Sequence, residues 1–78
     1  MNLDEIDFLR SLGDSLRERR LARGLTQGKL AEQCGFHRTF IGSVERGERN
    51  LSVLNLRRIA TALRAATADL LPGKQRSP

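Results

Sequence analysis

Residues 26–46 read TQGKLAEQCGFHRTFIGSVER, and this stretch decides the fold. Thr26 is a helix N-cap, a residue whose hydroxyl can accept from an unpaired backbone N–H of the first turn. Leu30, Ala31 and Cys34 then share one face, and Gly35, free to take a positive φ, ends this short helix. A second short helix is predicted from His37 to Arg46, stopped by Gly47. Only Gly35 and Phe36 separate the two, so the chain reverses in a tight corner, the pattern of a helix-turn-helix.

The helix after the corner has two unlike faces. At about 100° per residue, with Ile41 set at zero, Val44 falls at about −60° and Glu45 at about 40°, on the inner side. Thr39, Ser43 and Arg46 fall at about 160°, −160° and 140°, on the outer side. That outer face is small and polar, then basic. A helix selected only for solubility would more often pair Glu with Lys at i, i+4, whereas Thr, Gly, Ser and Arg leave room to enter a groove and reach base edges. Arg38 stands at the helix N-terminus, where a long side chain reaches furthest.

Outward from the corner, helical spacing recurs and nothing alternates like a strand. Upstream, Leu9, Leu12, Leu16 and Arg20 follow steps of three or four. Acidic residues sit in the opening turns and Arg19, Arg20 and Arg23 in the closing ones, which complements the helix dipole. With Gly24 as a left-handed cap, the first helix is expected over about residues 5–23. Downstream, Ser52 caps a helix carrying the buried stripe Leu56, Ile59, Ala60 and Leu63. Thr67 is expected to cap a last turn through Leu71, and Pro72 with Gly73 blocks continuation. The expectation is all-α: one compact five-helix domain over residues 1–72 and a flexible tail at 73–78.

Composition narrows the partner. The chain has 78 residues and a formal net charge of +5, from 14 Lys plus Arg against 9 Asp plus Glu. Asp4, Glu5, Asp7 and Asp14 against Arg10 alone make residues 1–16 net −3, so the remainder carries +8. Such a surplus fits a polyanion, whose counterions are released as phosphates are neutralised. Aromatic residues are 4% of the chain, with no Tyr or Trp, so a stacking platform for single strands or RNA loops is poorly supported and duplex DNA is the better polyanion. One Cys and one His cannot build a zinc site or an internal disulfide, and no nucleophile–base or carboxylate constellation suggests an enzyme. No apolar run approaches the roughly 20 residues of a membrane span. We expect a cytoplasmic protein without metal, cofactor or small-molecule ligand.

Leu16, Arg20, Gly24, Leu25, Thr26, Gln27, Leu30, Ala31, Gly35, Ile41, Glu45, Gly47, Leu56, Ile59, Ala60 and Leu63 form a run that resembles the Cro/C1-type, or XRE-like, helix-turn-helix regulators. Arg38 to Ile41, Glu45, Arg46 and Arg49 to Leu51 are similar to the subset containing restriction-modification controller proteins. The resemblance implies a lambda-repressor-like fold and a transcriptional regulator that binds double-stranded DNA as a homodimer. Its operator would be pseudo-palindromic, with half-sites about one helical turn, roughly 34 Å, apart. Position by position, it implies base reading by Arg38, Thr39 and Ser43 and a phosphate contact by Gln27. Arg46, Arg49 and Asn50 would lie along the DNA backbone. Phe40 departs from the Tyr often found there, losing a hydroxyl but keeping a ring that could meet a thymine methyl. Arg20 and Glu45 match an ion pair tying the first helix to the third. Surfaces around the fourth and fifth helices pair in related proteins, which implies a dimer interface at Leu51, Val53, Leu54, Leu70 and Leu71.

Blander readings stand beside these. Arg17, Arg19 and Arg23 are equally well explained as a solvated helix end. His37 is a helix-start residue with a flanking phosphate contact as the functional reading, Cys34 a core residue, and Phe36 a plug between the two short helices. A different class of function is an antitoxin-type module that masks a toxin and represses its own operon, for which only residues 1–8 and 72–78 are left to grip a partner.

Overall fold

The computed structural model describes residues 1–73. Five helices follow one another: α1 (Leu3–Ala22), α2 (Gln27–Cys34), α3 (Arg38–Glu45), α4 (Val53–Ala62) and α5 (Thr67–Leu70). Strands are absent among the described residues, as the periodicity requires. The tail expected at 73–78 lies outside the described residues beyond Gly73.

Local chemistry explains most boundaries. Thr26 Oγ1 accepts from Lys29 N at 3.0 Å, and Ser52 Oγ accepts from Asn55 N at 3.0 Å, so both expected caps are made. Gly35 adopts φ 77°, and the Phe36 N–H bonds back to Ala31 O at 2.9 Å, closing α2 as the corner turns. Two boundaries differ from expectation. α1 begins two residues earlier than its acidic run suggested, because Asn2 and Glu5 form a reciprocal capping box, with Asn2 Oδ1 accepting from Glu5 N and Glu5 Oε1 from Asn2 N. The N-cap of α5 is Ala66 rather than Thr67. There the Asp69 carboxylate accepts from Ala66 N at 3.1 Å, which does from inside the helix what a capping side chain does from outside.

The core is one cluster. Leu9, Leu12 and Leu16 of α1 meet Leu30, Ala31 and Cys34 of α2, Ile41 and Val44 of α3, Leu56, Ile59 and Ala60 of α4, then Leu63 and Leu70. Leu16, Leu30, Ile41, Ile59 and Leu70 are fully buried, each contributing about 1.5–3 kcal/mol relative to exposure. Leu70 therefore belongs to the core, which corrects its assignment to a surface for a partner. Being 0% exposed, it has no area to offer a second copy.

Two glycines bring α1 against the end of α3. A Cβ at Gly13 would collide with the carbonyl oxygens of Val44 and Glu45. Gly47 has φ 77°, and a Cβ there would lie 2.8–2.9 Å from Arg10 atoms, its backbone included. Close backbone approach sets how α3 is presented, since α3 is anchored at its C-terminal end while its first turn remains exposed.

Candidate nucleic-acid interface

The corner between α2 and α3 is held from both sides. On the outside, the Phe36 and Phe40 rings sit 4.8 Å apart, and the Arg58 guanidinium of α4 lies 4.3 Å from the Phe36 ring centre. Arg58 Nη2 also donates to Cys34 O at 2.8 Å, satisfying a carbonyl at the end of α2. Sequence reading missed Arg58, whose role depends on a helix 23 residues further along the chain meeting this corner. Phe36 and Phe40 are half-buried, so each plugs the corner with part of its ring. Cys34 is buried in the core, and its Sγ donates to Leu30 O. Burial pushes its thiol pKa up, against a smaller opposing effect of Arg58.

On the inside, Arg20 and Glu45 make the expected ion pair. Arg20 Nε donates to Glu45 Oε2 at 2.5 Å and Nη2 to Oε1 at 3.0 Å, with side chains 8% and 3% exposed. Arg20 Nη1 also donates to Leu25 O at 2.7 Å, so one guanidinium fastens α1, the loop before α2 and α3. Gln27 joins this network, with Nε2 donating to Glu45 Oε1 at 3.1 Å.

The outward residues divide into two sets. Arg38 and Thr39 are exposed on the first turn of α3. With Gln27, Gly42 and Arg46 they line a small cleft of about 160 Å³, whose floor is Gly42. Arg46 Nε donates to Glu48 Oε2 at 3.0 Å, a hydrogen bond that holds the Glu48 carboxyl below the usual carboxylate range. His37 is the exposed N-cap of α3 and makes no side-chain capping bond.

Ser43 is not where the helical wheel put it. The residue is 8% exposed, its hydroxyl donates to Phe40 O at 2.7 Å, and it accepts from Arg49 Nε at 3.2 Å. Arg49, arriving from the loop after α3, folds back over it and lies 5.7 Å from the Phe40 ring. A wheel drawn from one helix cannot include a side chain returning from a loop. Asn50 is exposed but stands apart from the cleft, on the wall of a groove shared with Asp4, Asp7 and Phe8 of α1.

Residues 16–70 match the family HTH_3, described as Helix-turn-helix. The chain belongs to this helix-turn-helix family. It is 43% identical over 60 residues to Control protein C.BamHI of Bacillus amyloliquefaciens, covering 76% of this chain and 74% of that one. It is 42% identical over 66 residues to Control protein C.SmaI of Serratia marcescens, covering 85% and 79%. Among solved structures, the restriction-modification controller protein C.AhdI from Aeromonas hydrophila superimposes with a TM-score of 0.83 at 43% identity, over 87% of this chain and 99% of that one. The XRE-like resemblance and its controller-protein subset are thus matched by relatives along most of the helix-turn-helix domain. No described helix is long and apolar enough to cross a membrane.

Proposed function

We propose that this helix-turn-helix protein is a sequence-specific, double-stranded-DNA-binding transcriptional regulator that acts as a homodimer, of the kind that controls restriction-modification genes. α3 enters the major groove with Arg38 and Thr39 toward base edges. Gln27, His37, Phe40, Arg46, Arg49 and Asn50 are the flanking positions. The observation that carries this reading is an exposed Arg38–Thr39 turn beside Gln27 and Arg46, on a helix whose far end is fixed by Arg20 and Glu45. A groove reader needs that combination: a small, open tip that reaches bases and a rigid base that sets its angle. The likeness to control proteins supports the regulatory role.

The dimer surface is narrower than the sequence suggested. Val53 and Leu54, 76% and 69% exposed at the start of α4, form its centre, with half-buried Leu51 and Leu71 as further members. Exposed apolar side chains at successive positions are what a second copy would cover. We assign no catalytic role to any residue and place the protein in the cytoplasm, where its DNA target is.

Selection from a randomised duplex library tests the proposal. The expected product is a two-fold related motif with half-sites about one turn apart, bound less tightly as salt rises. Recovery of unrelated sequences with no shared motif would contradict it.

A further inference from the structure

Gln27 was expected to bond a DNA phosphate, which uses an amide N–H as donor. One of its two N–H groups is already committed, and this fixes which way the amide faces. Its Nε2 donates to Glu45 Oε1 at 3.1 Å, and the opposite assignment would set an amide oxygen against a carboxylate oxygen. Oε1 is therefore turned the other way, toward Gly42, where it lies 3.4 Å from the position a Cβ would take. Among the described residues no buried side-chain oxygen lacks a partner, and Oε1 has no hydrogen bond within the chain, so this oxygen is open to solvent. It lines the cleft with Arg38, Thr39, Gly42 and Arg46.

The cleft thus presents an acceptor beside two guanidinium donors. Arg46 Nη1 approaches the same point above Gly42 at 3.3 Å, so any side chain at residue 42 would crowd both groups. A phosphate offers only acceptors, which suit the guanidinium groups and the second Nε2 N–H but leave Oε1 without a partner. A base-pair edge in the major groove offers both kinds of group, because each pair exposes one exocyclic amino donor, adenine N6 or cytosine N4, among its acceptors. We propose that Gln27 reads an exocyclic amino group through Oε1, and that Arg20 and Glu45 are positioning residues that hold its amide in the reading orientation. This rests on the DNA-binding function above and adds Gln27 to the base-reading set.

The test uses the duplex selected by the wild-type protein. Each adenine is replaced in turn by purine, and each cytosine by pyrimidin-2-one, so that one amino group is removed at a time. Wild type should lose roughly ten-fold at one position per half-site. Gln27→Ala should bind the amino-bearing and amino-lacking duplexes equally at that position. Which analogue shows the loss tells adenine from cytosine. An Arg20→Met, Glu45→Leu double variant exchanges the buried pair for apolar groups of similar bulk and releases Gln27. It should keep its helical circular dichroism and lose discrimination at that position by a larger factor than at the other positions of the motif, which a change in the angle of α3 would weaken together. Should this variant fail to fold, Gln27→Ala alone decides the base-reading claim. Equal weakening of selected, analogue-bearing and random duplexes by Gln27→Ala would overturn the inference in favour of a phosphate contact. Retained discrimination in a folded double variant would overturn the positioning role. A wild-type protein that selects no motif would overturn the DNA-reading function itself, a different result from either.

Discussion

Arg20 shows how much of the site rests on one buried side chain. Its guanidinium satisfies both oxygens of Glu45 and the Leu25 carbonyl, and Glu45 in turn holds Gln27. Removing one member of a buried pair leaves the other without compensation, so Arg20→Ala should destabilise the fold by about 3–5 kcal/mol, read as a lower midpoint in urea. A midpoint unchanged from wild type would mean that the pair contributes little. At this scale the sequence was informative where a residue's place on its own helix, or the family resemblance, sufficed to locate it. Thr39 is exposed as the wheel required, Arg38 is exposed as its place at the helix N-terminus suggested, and the Arg20–Glu45 pair implied by resemblance is present. Ser43 was misplaced because Arg49 covers it from outside its helix, and the orientation of the Gln27 amide depends on Glu45, 18 residues away.

The packing of α1 against α3 turns on glycine. Gly13 in the middle of a 20-residue helix runs against helix propensity, where Ala would be favoured by about 1 kcal/mol. The structure gives the reason, since its missing Cβ admits the Val44 and Glu45 carbonyls. Backbone cannot move aside as a flexible side chain can. Gly13→Ala should therefore lower the melting temperature despite the propensity gain, with a net loss of about 1–3 kcal/mol typical of overpacking. A higher melting temperature would show that α1 can shift without cost. An interior glycine was visible in the sequence as an anomaly, but the element it makes room for was not. Helix existence and order were legible from spacing and caps; the start of α1 was missed because the Asn2–Glu5 box lies upstream of the apolar stripe. The cap of α5 was missed because Asp69 acts from within the helix.

At the scale of the whole molecule, the charge is unevenly divided along the chain and an apolar pair is left outside the core. Residues 1–16 carry net −3 and the rest +8, while Val53 and Leu54 stand exposed at the start of α4. A dimer formed there would present two copies of α3 to one duplex. Leu54→Asp should keep the helical circular dichroism of wild type, because the side chain is outside the core, yet remove the concentration dependence of melting, shift sedimentation toward the 8.7 kDa monomer and weaken binding to a two-half-site duplex. A variant that remained dimeric would place the interface elsewhere. The resemblance implied this surface, but only folding could sort Leu70 into the core and leave Leu54 outside it.

The central claim is that the first turn of α3 reads base sequence. Its most direct measurement compares Arg38→Ala with wild type on the selected duplex and on a scrambled duplex of equal length, at one salt concentration. The account predicts a loss of about 1–3 kcal/mol on the selected duplex, with relaxed preference at one base pair and a much smaller change on the scrambled one. Equal losses on both duplexes, or none on either, would contradict it.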